Sequence, residues 1–314
     1  MTTTAKKLLR FIDSETGPIT KITSAPYPGL IRRICWHSSA FLHKRIAGSN
    51  GEFKIFNHGS GGGWSAHKED SQIKAVVEAI ERWAFYYHSG SQNAKSAALD
   101  IDSTTNGFAA LPDIFGNEAV KENAYCEALE RWLLDRVWYN GDVFFVDFPL
   151  ERSWAAGLFG RQMERLHVYI TEPICPEFSA LSTKKVFFCL ALLETDCGGM
   201  LPGSACGADL NAVAEHAIVE LYSHHLAFEK LKALNPARLD SIIEARLYRF
   251  ASSKSAGDAV KSRIKVGKGG ILKVPEVVFS AAITGPWNPE VNVYRVLLGD
   301  TVPFLVDGVD RFLI

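Results

Sequence analysis

Residues 71–88 read S-Q-I-K-A-V-V-E-A-I-E-R-W-A-F-Y-Y-H, and this stretch decides how the rest of the chain is read. Ile73, Val76, Val77, Ile80, Trp83 and Ala84 recur at intervals of three and four, so they share one apolar stripe of a helix, with Asp70 or Ser71 available as N-cap. The spacing predicts a helix ending near His88. Inside it, Glu78-Ala79-Ile80-Glu81-Arg82 sets two carboxylates three residues apart on one face, with an arginine beside them. The same pentapeptide pattern returns as Glu127-Ala128-Leu129-Glu130-Arg131, in a second predicted helix over residues 118–138 whose stripe is Val120, Ala124, Ala128, Leu129, Leu133 and Val137.

Outward from these helices the pattern alternates. Residues 31–41 and 52–56 are β-branched and aromatic, bounded by Gly and Asn, and read as strands. Gly59-Ser60-Gly61-Gly62-Gly63 reads as a flexible loop, and residues 100–106 as a turn. Strands are expected at 142–148, 166–171 and 185–192. A small-residue loop at 203–209 then leads into a third helix over 210–232, with Val213, Ala217, Ile218 and Leu221 inside. Residues 236–257 read as helical, with Asn235 as N-cap and Pro236 at the first helical position. The stretches 271–274, 292–298 and 302–306 supply short final strands. No low-complexity linker divides the chain, so the expectation is a single α/β domain over residues 1–314, with mixed sheets and long carboxylate-bearing helices.

Composition sets the outer bounds. The 314 residues are 47% hydrophobic and 22% charged, the balance of a globular protein with a large core, which excludes disordered, collagen-like and coiled-coil classes. Lys plus Arg number 34 against 35 Asp plus Glu, and the resulting net charge of −1, without long runs of one sign, argues against nucleic acid as a partner. Six cysteines form no C-x-x-C pair and read as free thiols of a reducing compartment. No signal-peptide pattern opens the chain and no apolar run reaches spanning length, so the expectation is a cytoplasmic protein without a membrane partner.

Paired carboxylates on two helices can hold hard cations such as Mg²⁺ and, through them, phosphates. Each E-x-x-E-R taken alone is equally a solvated helix face. Both pairs, however, sit among apolar residues, and like charges at this spacing cost a helix a few tenths of a kcal/mol. In the third helix Glu215, His216, Glu220, His224 and His225 invite a zinc reading, but H-E-x-x-H is absent and adjacent histidines point to different sides. The glycine stretch lacks the G-K-[ST] ending of a P-loop, and no G-x-S-x-G elbow is present.

In this order the landmarks resemble those of the YcaO family of ATP-dependent peptide-backbone-modifying enzymes: the glycine stretch 59–63, the first E-x-x-E-R, Ser103-x-x-Asn106-Gly107, the second E-x-x-E-R, and the G-x-x-C-G stretch leading into the Glu220 helix. They cover about residues 18–225, and residues 226–314 would complete the fold. The resemblance implies an α/β fold binding ATP and Mg²⁺, with Glu78, Glu81, Glu127, Glu130 and Glu220 as metal ligands. Ser103, Asn106, Arg131 and Arg82 would be on the nucleotide. It further implies cyclodehydration of Cys, Ser or Thr in a ribosomal precursor peptide to azolines, the amide oxygen leaving as phosphate. A partner protein would bind the leader or act as scaffold, and a homodimer is expected. Thioamide or amidine formation would use the same ATP site, and a non-catalytic scaffold subunit is the alternative from another class. Departures from the family pattern are Trp132 after Arg131, Ser223 and His224 on the third helix, no lysine in the glycine stretch, and a Val309–Ile314 ending without prolines.

Overall fold

A computed structural model describes the chain except residues 1, 29–33, 48–59, 90–106, 151–152, 154, 176–184, 235–238, 240, 270–271, 303–307 and 313–314. The chain divides into two compact units. The first comprises residues 1–51, 57–128 and 277–298, the second residues 52–56, 129–276 and 299–314.

In the first unit, helix α1 (Thr3–Leu8) leads into β1 (Ile19–Pro28), β2 (Ile34–Leu42), the short α2 (Lys44–Ala47), β3 (Ser60–Ser65) and the long α3 (Lys68–Ser89). Strand β4 (Gly107–Pro112) precedes α4 (Gly116–Asp135), which begins in this unit and ends in the other. Two antiparallel three-stranded sheets result, β1-β2-β3 and β10-β11-β4, the latter with β10 (Val277–Ile283) and β11 (Val291–Leu298). Ile80, Ala75 and Ala79 of α3 pack with Ile19, Ala40, Phe108, Trp287 and Val293 in the core, as the period of residues 71–88 requires.

In the second unit a five-stranded sheet runs β8-β7-β6-β5-β9: β5 (Phe144–Asp147), β6 (Leu166–Thr171), β7 (Phe187–Glu194), β8 (Met200–Gly207) and β9 (Lys265–Val266). Phe188 to Leu193 of β7 are all buried, the pattern of a strand covered on both faces. Helix α5 (Leu210–Leu231) lies on β7 and β8. Helices α6 (Ile242–Ser252) and α7 (Lys254–Lys261) follow.

Several expectations change. The stretch expected as a flexible loop at 59–63 is strand β3 from Ser60 onward, and the expected loop at 203–209 is largely strand β8. The glycines serve packing. A Cβ on Gly61 would overlap the Ala75 carbonyl oxygen of α3, and one on Gly203 the Ala217 carbonyl oxygen of α5. Gly107 of β4 stands in the same relation to Ala124 of α4. Helix backbone thus lies directly on strand backbone at Gly61, Gly63, Gly107 and Gly203, which only glycine permits. The helix expected over 236–257 is two helices, α6 and α7, capped by Ser241 and Ser253; the expected caps Asn235 and Pro236 lie outside the described residues. Residues 272–274 and Val302 form no strand; the expected strand at 52–56 and the remainder of those expected at 271–274 and 302–306 lie outside the described residues. Strands β1 and β10 carry alternating patterns that the sequence reading passed over.

Gly61→Ala and Gly203→Ala should each destabilise the protein by at least about 2 kcal/mol in urea unfolding, because overpacking against backbone cannot be relieved by a rotamer change. Gly62, whose Cβ position meets only atoms at ordinary contact distance, should accept Ala within about 0.5 kcal/mol in the same assay.

Candidate functional site

The contacts at Gly61, Gly107 and Gly203 share one further feature. Three residues after each contacted alanine stands a glutamate, in Ala75-x-x-Glu78, Ala124-x-x-Glu127 and Ala217-x-x-Glu220. Each glutamate accepts a hydrogen bond from the backbone N–H that follows the packing glycine. Gly62 N–H donates to Glu78 Oε2 at 2.8 Å, Phe108 N–H to Glu127 Oε2 at 3.0 Å, and Ser204 N–H to Glu220 Oε2 at 2.9 Å. Strands β3, β4 and β8 are each an edge of their sheet, so the carboxylates satisfy edge amides that no neighbouring strand reaches.

In the first unit Glu78, Glu81 and Glu127 form one set. Ala110 N–H donates to Glu81 Oε2 at 3.1 Å, two residues along β4 from the Glu127 amide, and Arg82 Nη2 donates to Glu78 Oε1 at 2.7 Å. Burial holds the Glu81 carboxyl well above the usual carboxylate range, and Glu127 and Glu78 add to this while Arg82 and the Ala110 amide oppose it.

In the second unit Glu130 and Arg131 of α4 meet Glu220 and His224 of α5. Ser204 joins the two carboxylates: its hydroxyl donates to Glu130 Oε1 at 2.6 Å while its amide holds Glu220. Burial first, then Glu130, pushes the Glu220 carboxyl up to about 7, against Arg131 and the Ser204 amide. His224 shares a 2.7 Å hydrogen bond between Nδ1 and the Pro202 carbonyl. The carbonyl can only accept, so Nδ1 carries the proton. Burial depresses the His224 imidazole to about 4, with Arg131 adding to the effect. It is therefore neutral at pH 7. Burial also pushes the Cys189 thiol up, so it is inert as a nucleophile.

Of the residues expected at the site, Glu78, Glu81, Glu127 and Arg82 come together in the first unit, and Glu130, Arg131 and Glu220 in the second. Ser103 and Asn106 lie outside the described residues. Glu215 instead caps the Ala155–Arg165 segment by accepting from Ala155 N–H at 3.1 Å, and His225 packs against Phe159 and Tyr222. Trp132 is a core residue at 2% exposure, so the side chain after Arg131 is spent on packing. Ser204 and the strand amides carry no local sequence signal: A-x-x-E also occurs at 66–69, 119–122, 191–194 and 212–215, so only the packing singles out the three that meet a strand amide.

Among the described residues no three His, Cys, Asp or Glu side chains converge closely enough to hold a metal as they stand. The donors are nonetheless all-oxygen and anionic, and their mutual repulsion is what a hard divalent cation would relieve. In that sense they fit Mg²⁺.

No protein-family model matches the sequence, and no curated protein does. Solved structures do match. A YcaO from Methanopyrus kandleri, solved with AMPPCP and Mg²⁺, superposes with a TM-score of 0.52 at 12% identity, over 94% of this chain and 89% of that one. A heterocyclase solved with substrate and cofactor superposes equally well at 12% identity, over 95% of this chain; this chain spans only about half of its length, 52%. The class is thus defined by fold: a mixed α/β protein with three sheets among its described residues, the fold of these solved structures. This chain is a divergent example of the YcaO fold. No helix among its described residues is long and apolar enough to cross a membrane.

The Glu220 shift carries a sign. A carboxyl raised from 4.5 to about 7 binds more protons folded than unfolded between those values, so its contribution to stability is present below about pH 4.5 and is lost as pH rises towards 7. His224, depressed from 6.5 to about 4, acts in the opposite direction and loses its contribution as pH falls through that window. Comparing wild type with Glu220→Gln cancels the histidine. The stability of wild type relative to the variant should fall steadily from pH 4.5 to 7 in urea unfolding without metal; a constant difference would contradict the assignment.

Proposed function

We propose that this protein is an ATP- and Mg²⁺-dependent enzyme of the YcaO type that modifies the backbone of a ribosomal precursor peptide, acting as one YcaO-like domain over residues 1–314. The observation that carries this reading is the repeated Gly–Ala–Glu arrangement. It collects half-buried glutamates into sets, and Glu81 and Glu220 rise above the carboxylate range through burial first and the neighbouring carboxylates second. Such sets are costly to stability and are explained by a bound cation. The YcaO from Methanopyrus kandleri was solved with AMPPCP and Mg²⁺, which supports the same ligands here.

In this reading Glu78, Glu81, Glu127, Glu130 and Glu220 hold Mg²⁺, while Arg82, Arg131, Ser103 and Asn106 face the nucleotide phosphates. Bound Mg²⁺–ATP would supply the phosphoryl group that turns a poor leaving group, the amide oxygen, into phosphate. The chain's own part is positioning and charge neutralisation, which phosphoryl transfer needs more than covalent help. The strand amides fix one oxygen of each of four glutamates, and Ser204 holds Glu130 and Glu220 at one place despite their like charge. Cyclodehydration of Cys, Ser or Thr to azolines is the reaction we assign, with the peptide brought by a leader-binding or scaffold partner, in the cytoplasm, and with the chain as a homodimer. The heterocyclase solved with its substrate supports this choice.

Calorimetric titration with a nonhydrolysable ATP analogue should show binding that requires Mg²⁺, releases protons near pH 7 where Glu220 titrates, and disappears in the Glu81→Gln, Glu130→Gln double variant. Binding that persists in that variant would remove the nucleotide from the acidic helices. With a precursor peptide, loss of water from the product identifies azoline formation, and exchange of oxygen for sulfur identifies a thioamide instead.

A further inference from the structure

Two turns along α4 from Glu130 the helix loosens into one π turn, Arg136–Asn140, closed by Gly141 at φ 60°. Single π turns are frequent at functional sites. Here Trp138 meets Phe250 of α6, with ring centroids 5.6 Å apart, and both residues line a half-open cavity of about 200 Å³.

Its walls are polar. The Arg263 guanidinium lies over the Trp138 ring at 4.0 Å from the centroid. It is fixed there by Nε donating to the Trp138 carbonyl at 2.8 Å and Nη1 donating to the Ala259 carbonyl at 3.2 Å; neither bond uses Nη2. At the mouth Arg249 Nη1 pairs with Asp310, both side chains being largely exposed at 48% and 69%. Ser253 and Ser255, whose hydroxyls are 2.9 Å apart, complete the wall at the start of α7. The lining therefore holds two arginines, two serines (Ser253 also capping α7) and two aromatic residues against a single acidic residue, Asp310. Asp310 shows which chemistry this wall accepts: a carboxylate on Arg249, supplied by the chain itself from the Gly308–Asp310 turn.

We propose that this cavity binds a small organic carboxylate with an apolar body, the carboxylate replacing Asp310 on Arg249 and the body lying against the edges of Trp138 and Phe250 that Arg263 and Phe312 leave uncovered. The planar guanidinium fork matches a carboxylate better than it matches a spherical anion, and the rings reward an apolar body that inorganic phosphate lacks. Binding would displace the turn that precedes Arg311, whose side chain pairs with Asp135 on α4, so the ligand competes with the C-terminal segment for α6. The inference stands apart from the nucleotide chemistry proposed above.

The test is a ligand-observed NMR titration of the full chain with benzoate, acetate and inorganic phosphate. Arg249→Gln and Asp310→Asn break only an exposed ion pair, so both variants should fold. Benzoate is expected to saturate and to bind more tightly than acetate or phosphate. Its affinity should weaken about tenfold in Arg249→Gln, the loss of one charge-assisted hydrogen bond, and should tighten in Asp310→Asn, where the internal competitor is gone. Phosphate binding as tightly as benzoate, affinity unmoved by either substitution, or no saturation by tens of millimolar benzoate would overturn the proposal.

Discussion

Everything at the acidic helices depends on how closely a helix can lie on an edge strand. At Gly61, Gly107 and Gly203 the missing Cβ lets the helix backbone touch the strand, and a glutamate three residues further along the helix then reaches the next strand amide. A longer distance would leave the amide unsatisfied and the carboxylate free to turn to solvent. The contact thus solves two problems with one geometry: it protects an exposed sheet edge, and it holds a charged side chain in place by a charge-assisted hydrogen bond.

That geometry has an electrostatic consequence. Glutamates drawn onto neighbouring strand edges are drawn towards one another, and a few backbone dipoles and two arginines do not cancel their repulsion. Burial first, and that repulsion second, makes Glu81 and Glu220 hold their protons. Ser204 answers the same difficulty locally, offering its amide to one carboxylate and its hydroxyl to the other. His224, neutral and tied to the Pro202 carbonyl, adds no positive charge beside Glu130 and Glu220. Sites of this kind trade stability for a task.

The far end of α4 is stabilised in a different manner. Asp135 pairs with Arg311 in the interior and accepts from Val302 N–H at 3.1 Å, while Phe312 packs on Phe250 and Trp138 at centroid distances of 5.0 and 6.0 Å. Burial raises the Asp135 carboxyl even against Arg311 and Arg131, as expected of an ion pair removed from water. The C-terminal turn is therefore integrated into the second unit by charge and aromatic packing, on the same helix that presents Glu130 and Arg131.

The sequence by itself determined the helices and the candidate carboxylates. Periodicity is a local property, so the stripes through Ile73–Ala84, Val120–Leu133 and Val213–Leu221 locate α3, α4 and α5 within a few residues, and E-x-x-E-R could be read directly. Only the tertiary structure decided what the glycines are for. Composition reads Gly59–Gly63 as a loop because glycine is costly in an isolated strand; the cost is offset by a helix that comes from elsewhere in the chain, which no local window contains. For the same reason Ser204 was invisible, since its two partners lie 74 and 16 residues away. Which glutamates face one another, and how far their protons are held, follows from that packing alone.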